Sequence, residues 1–389
     1  MKLRLSFFNN TRVRSLGYQA IVFIVVISFF IFIIGNASNN LLDQGIATGF
    51  GFLGDATGFN IASSLIHYDS SSTYLRLFIT ALLNTLLVSS ISIVFATAIG
   101  FVVGIMRLSA HPIATRIAAV YVETLRNIPL LLQVFFWYFA VLQPLPSPRA
   151  SKEFMQSVFL NNRGLHLPSP ELSGHSEWFL VIILVSIGTL LYWYRQARRY
   201  RIKHGCDIKL IWWVSRLALL FFINVNVYLM SDAGLSWSIP ILSGFNFEGG
   251  SVITPEFFAL FIALSTYTGA YIAENVRSGI QAVEKGQIEA GRTLGLSSFN
   301  ILRFIIIPNA MRVIIPPLTN QYLTLTKNSS LAAAIAYPDI VLVFAGTALN
   351  QTGQAIEILL MVMLVYLLIS LLIATAMNFY NKRFLLVER

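Results

Sequence analysis

Apolar residues in this chain come in long, nearly unbroken runs, not in the strict alternation of a half-buried strand or the narrow stripe of a soluble helix. A helix needs about 20 such residues to cross a bilayer. About eight segments qualify, near 16–35, 80–106, 117–141, 178–194, 210–230, 256–276, 313–335 and 355–380. The fourth is short, and Pro316, Pro317 and Lys327 interrupt the seventh. Polar stretches divide the runs. A long one over 144–177 carries Pro144, Pro146, Pro148, Pro168 and Pro170, and a basic one lies over 195–210. Such shifts mark insertions. The pattern predicts an all-α integral membrane protein. It divides into 1–79 (tail, first helix and outer loop), 80–143 (first part of a helical core), 144–255 (an insertion with two helices) and 256–389 (second part of the core, with a polar loop at 280–310).

Composition agrees with the pattern. The chain is 56% hydrophobic and 11% charged, against about 25% charged in soluble domains, and its mean hydropathy is +0.71. The net charge of +10 raises nucleic acid as a partner, but its placement follows topology instead. Lys2, Arg4, Arg12 and Arg14 precede the first run. With eight spans one set of loops then holds Arg107 and Arg116, the cluster from Arg195 to Lys209, Arg277, Lys285, Arg292 and Arg303, and finally Lys382 and Arg383. The opposite loops hold Arg76, Arg149, Lys152 and Arg163 over long segments, and no lysine or arginine in 231–255 or 336–354. By the positive-inside rule both termini are cytoplasmic. The first run is read as a retained helix and not a cleaved signal. The basic stretch Arg195–Lys203 is read as a topogenic loop against anionic headgroups. A single cysteine, Cys206, excludes a disulfide framework. His67, His111, His166, His175 and His204 are scattered without ligand spacing, so no metal site is expected.

The polar loop at 280–310 is the place where such a chain must meet something in water. Ile280 to Leu294 reads as a short helix with Gly295 as its left-handed cap. Ser297 then caps a second short helix running toward Ile307, where Pro308 stops it. Glu289 and Arg292 sit as the helix dipole favours. Gly291, inside the first helix, costs about 1 kcal/mol relative to alanine. Either another surface approaches it closely or it packs against its own bundle.

These residues carry a resemblance. The segment Glu289-Ala290-Gly291, then Gly295, Ile305 and Ile307-Pro308, is similar to the cytoplasmic loop of permease subunits of binding-protein-dependent ABC importers. Members of that family carry Glu-Ala-Ala, three residues, Gly, nine residues, Ile, one residue and Leu-Pro. Gly291 stands here for the second alanine and Ile307 for the leucine. Glu274-Asn275-Val276-Arg277-Ser278-Gly279-Ile280, Arg126-Asn127-Ile128-Pro129 through Gln133, and Lys327-Asn328-Ser329-Ser330-Leu331 resemble the polar amino acid branch. The likeness covers about 80–142 and 256–381; an eight-span chain with this insertion resembles the general L-amino-acid importers.

The resemblance implies a type I importer permease with a five-helix core and added helices. Glu289, Ala290, Gly291, Gly295, Ile305 and Pro308 would couple it to a separate ATP-binding cassette ATPase, which holds the ATP and Mg. It also implies a second permease subunit, forming a heterodimer as in the general L-amino-acid systems, and a periplasmic amino-acid-binding protein, all at the bacterial inner membrane. The chain has no Gly-x-x-x-x-Gly-Lys-Ser/Thr and no Gly-Lys dipeptide, so it lacks a phosphate-cradling loop and holds no cofactor of its own. It is read as a transport subunit and not an enzyme.

Ionisable groups within spans are costly and normally face a partner or a watery path. Arg126, Asn127, Gln133, Glu274, Lys327, Asn328 and Ser330 are therefore candidate substrate-pathway residues, with Lys327 and Arg126 for a carboxylate and Glu274 or Glu123 for an ammonium. Glu123 with Arg126, and Glu274 with Arg277, stand three apart and read first as structural ion pairs. The alternative function is a gradient-driven secondary transporter of small polar solutes, whose folds often show inverted repeats with matched, unwound helices; only the seventh segment is broken in that way.

Overall fold

The computed structural model describes residues 11–43, 48–154, 157–172, 176–204, 210–230 and 235–382. Lys2, Arg4, His175, Cys206, Lys209 and Arg383 lie outside them. Every apolar run is helical. The helices are α1 (Thr11–Asp43), α2 (Tyr74–Met106), α3 (Pro112–Asn127), α4 (Leu130–Phe135), α5 (Ser176–His204), α6 (Leu210–Met230), α7 (Pro255–Gln281), α8 (Lys285–Thr293), α9 (Ser298–Ile301), α10 (Ile307–Asn328), α11 (Leu349–Thr352) and α12 (Ala355–Asn381). Among the described residues four helical segments are long and apolar enough to cross a membrane, or up to five if the bent pair of α3 and α4 is one span.

That pair corrects the third predicted span, which hydropathy reads as one rod. Pro112–Asn127 and Leu130–Leu142 diverge by 106°. Proline disfavours helical backbone in the residue before it, and Ile128 is extended at φ −95°, ψ 127°. Hydropathy is blind to the break because Arg126 and Asn127 are averaged with the apolar stretches on either side. The seventh segment goes the other way: α10 runs unbroken through Pro316 and Pro317. Each lacks a donor for the preceding turn, a loss that membrane helices tolerate when neighbours re-satisfy the backbone.

The chain divides into two compact units, residues 1–137 with 259–389, and residues 138–258. In the first, α2, the segment around 340–348 and α12 share a core that includes Phe52, Tyr74, Leu77, Phe344, Ile358 and Val362. Its aromatic centre packs edge-on, with Phe52 to Tyr74 at 5.8 Å and Phe78 to Phe344 at 5.0 Å. The second unit holds α5 and α6 and, where the sequence predicts only loops, eight short strands. These are β1 (Lys152–Phe154), β2 (Val158–Asn161), β3 (Gly164–Leu167), β4 (Ser169–Leu172), β5 (Leu235–Ser238), β6 (Ile241–Ser243), β7 (Asn246–Glu248) and β8 (Ser251–Ile253). Strands β1-β2-β3-β8 form an antiparallel sheet, and β4-β5 and β6-β7 form two-stranded ribbons. At three or four residues each, they are too short for period-two alternation to register.

Candidate functional site

The elbow between α7 and α10 begins when α7 ends at Gln281. Glu284 is extended, and α8 starts at Lys285 instead of within a helix from Ile280. Its far end is a complete Schellman motif. Leu296 N donates to Gly291 O at 3.1 Å and Gly295 N to Arg292 O at 2.9 Å, with Gly295 left-handed at φ +76°. Ser297 then caps α9, its hydroxyl accepting from Asn300 N at 3.4 Å. The chain continues through a π-helical turn, Leu302–Ile306, directly into α10, so Pro308 does not stop it. Pro308 follows that wide turn, in which Ile307 N donates five residues back to Leu302 O, so the helix continues past a residue with no donor of its own. Asn309 Nδ2 donates to Gln287 Oε1 at 2.8 Å, tying α8 to the start of α10.

Gly291 is buried by its own chain. A Cβ there would lie 2.6 Å from Ile305 Cδ1 and 3.4 Å from Ile301 Cγ1. The first neighbour is the far end of a mobile side chain, so Gly291→Ala should be tolerated. The turn of Ile305 that it needs is offset by the gain of about 1 kcal/mol in helix propensity. Melting and uptake close to wild type would bear this out; loss of assembly would refute it. Glu289, Ala290 and Arg292 are exposed, as are Leu294 at 80% and Phe299 at 66%. A rigid, capped helix thus presents charge and large apolar side chains together.

The candidate polar residues do not gather in one place. Glu274 is held from two sides, by Arg277 one turn on in α7 and by Arg107, which follows the last residue of α2. Both carboxylate oxygens are engaged, since Arg277 Nε lies 3.2 Å from each. Among the described residues no ion pair joins Glu123 to Arg126. Arg126 instead lies over the Tyr271 ring at 4.9 Å, and Tyr271 stacks near Tyr267 with hydroxyls 3.3 Å apart. Asn127 is exposed beside it. Lys327 is exposed in the last turn of α10, and Ser330 folds its hydroxyl back onto Lys327 O at 2.7 Å. Asn328 is half-buried.

Gln133 has a local task at the bend. It is buried, and its Nε2 donates to Leu125 O at 2.8 Å and to Ile128 O at 3.0 Å, carbonyls that the end of α3 leaves without helical donors. Gln133→Leu removes both donors and should cost about 1–3 kcal/mol. A melting temperature in detergent equal to wild type would contradict this.

Sequence reading missed a second polar centre. Asn84 on α2 donates to Ser63 O at 2.9 Å and Pro338 O at 3.0 Å, and its carbonyl accepts from the Tyr337 hydroxyl at 3.2 Å. Next to it Asp339 is fully buried; Oδ1 accepts from Leu342 N at 2.8 Å, while Oδ2 has no partner. Burial pushes its carboxyl up to about 7. Between about pH 4, where an unfolded carboxylate titrates, and about pH 7, the folded chain keeps a proton that the unfolded chain loses. Stability contributed by this group therefore falls as pH rises through that window. Asp339→Asn keeps the Oδ1 acceptor, so its melting temperature should vary less between pH 5 and pH 8 than that of wild type. Equal pH slopes would count against the assignment.

These features define a multi-span helical membrane protein with a capped helical elbow between two of its spans. The family model described as "Binding-protein-dependent transport system inner membrane component" matches residues 210–385. The protein YhdX of Escherichia coli strain K12 is 48% identical over 389 residues, 100% of this chain and 98% of its own length. "General L-amino acid transport system permease protein AapQ" of Rhizobium johnstonii is 43% identical over 380 residues, 98% of this chain and 94% of its own. The chain belongs to this family of inner membrane components, the permeases of binding-protein-dependent ABC transporters. A solved structure described as "Crystal structure of an amino acid ABC transporter with histidines" aligns at 20% identity over 80% of this chain and 95% of its own, with a TM-score of 0.47.

Proposed function

We propose that this chain is the transmembrane permease subunit of an ATP-driven importer that moves amino acids across the bacterial inner membrane by alternating access. The observation that supports this most is the elbow. A nine-residue helix capped at Gly295 and pinned by Asn309 presents Glu289, Ala290 and Leu294 outward, as a rigid knob that a separate ATPase can push. In this reading ATP and Mg sit on two ATPase subunits, and a second, different permease chain completes the membrane part. A periplasmic amino-acid-binding protein delivers substrate from the side opposite the elbow. Both termini and the elbow are cytoplasmic. A type I core lies in 80–143 and 256–389, with 1–79 and the insertion 144–255 added to it.

The amino acid class rests on the full-length likeness to a general L-amino acid permease. In this reading Lys327, Asn328 and Ser330 at the end of α10 and, separately, Arg126 and Asn127 at the bend offer donors and acceptors to a zwitterion at different points of the path. A lysine exposed on a spanning helix is costly against lipid, which favours a water path or a partner chain beside it. Gln133 and Glu274 bear on this path only through the carbonyls and arginines they hold.

Cross-linking tests the reading. With Cys206 replaced, Ala290→Cys should cross-link to the ATPase subunit in the assembled complex, with a yield that changes when ATP is added. An assembled complex in which exposed positions of α8 never cross-link to the ATPase would refute it.

A further inference from the structure

We infer that Arg107 is a positioning residue that passes movement of the α8 elbow to α2 through the carboxylate of Glu274. The inference rests on the reading of α8 as the ATPase contact. Arg107 is the first residue beyond α2, and its Nη1 donates to Glu274 Oε2. Arg277 holds the other side of the same carboxylate and donates from Nη1 to Gln281 Oε1 at 2.5 Å. Gln281 ends α7, and α8 begins after three intervening residues, at Lys285. A continuous polar chain thus runs from the root of the elbow to the end of α2.

Packing shows why this chain matters. One turn before Arg107 the two helices touch backbone to backbone, since a Cβ on Gly104 would lie 2.7 Å from Ala273 O and 2.8 Å from Val276 Cβ. Alongside that crossing α2, α7 and α10 border an apolar cavity of about 600 Å³, whose wall includes Ile105, Met106, Val276, Ile280, Ile306 and Ile307. Van der Waals contact transmits little across a void, because its lining has no partner atoms on one side. Past the Gly104 contact, the Arg107–Glu274 pair ties the end of α2 to α7 beside the cavity by charge. Its side chains are only 18% and 25% exposed, so water screens it less than an open surface pair.

The pair also constrains what Glu274 can do. With one arginine on each side the carboxylate is already fully engaged, and a substrate ammonium would have to displace a guanidinium. A mechanical role needs no such exchange. Removing Arg107 leaves Glu274 paired with Arg277, so the fold keeps its buried charge balanced while the link to α2 is lost.

The test uses the complete reconstituted complex, the chain with its second permease, ATPase and binding protein in proteoliposomes. Amino acid uptake and ATP hydrolysis are measured together. Arg107→Gln should lower uptake per ATP hydrolysed by about fivefold or more, the lower bound of typical site-to-site coupling, and Arg107→Lys should restore most of it. A purely structural residue would lower both rates in proportion and leave the ratio intact. Should Arg107→Gln fail to assemble, Glu274→Gln reads the same link while keeping size and an acceptor oxygen; its ratio should fall likewise. A wild-type ratio in either assembled variant overturns the inference, as does an Arg107→Lys chain as uncoupled as Arg107→Gln. Gly295→Arg separates the two levels. If it uncouples while Arg107→Gln does not, only the role of Arg107 falls; if Gly295→Arg leaves coupling intact, the elbow reading itself falls.

Discussion

Gly295→Arg should reduce ATP-dependent uptake by at least about tenfold while the chain still reaches the membrane. Two effects combine. The residue sits at φ +76°, where a side chain costs about 1–2 kcal/mol, and this strain falls on the Schellman motif that fixes the direction of α8. No atom lies within 4 Å of a Cβ at this position, so the arginine has room within its own chain and projects from the elbow toward whatever docks there. Substitutions of different size separate the two. Asparagine, which tolerates left-handed backbone, should stay near wild type. Alanine should show the strain alone, and arginine should add the obstruction. Equal activities for alanine and arginine would mean that nothing docks against this end of α8.

Gly104→Leu should be strongly damaging at the α2–α7 crossing. The atoms a Cβ meets include Ala273 O at 2.7 Å, a backbone atom that cannot turn aside as Ile305 can at Gly291. The helices must separate, and overpacking of this kind costs typically about 1–3 kcal/mol. Separation also draws Arg107 away from Glu274, so coupling should suffer beyond the loss of stability. Gly188→Leu in α5, where no atom lies within 4 Å, serves as the control and should melt like wild type in detergent. Gly104→Leu with unchanged melting and unchanged uptake per ATP would show that the crossing is looser than its geometry implies.

Much of this architecture is legible in the sequence because the bilayer imposes a length and a polarity that hydropathy reads directly. The Gly295 cap is legible for a similar reason: a glycine just past a helical pattern has few other uses, and Ser297 behind it signals a restart. Pro308 misleads because proline commonly ends a helix, whereas here it follows a π-helical turn in a helix that continues. The bend at Ile128-Pro129 escapes a hydropathy reading because Arg126 and Asn127 are outweighed by the long apolar stretches on either side. Arg107 and Glu274 stand 167 positions apart, so no local pattern joins them; each alone reads as a loop charge or half of a local pair. Asn84 is hidden the same way, since its partners come from Pro338, Ser63 and Tyr337, and Asp339 bonds locally to Leu342 N but owes its burial to the surrounding fold.

The most direct measurement of the central claim is uptake of radiolabelled amino acid into proteoliposomes holding this chain, a second permease, the ATPase and the binding protein. Uptake should require ATP, the ATPase and the binding protein together, and should be unaffected when proton and sodium gradients are dissipated. Uptake that follows an imposed ion gradient with the ATPase omitted would contradict the account.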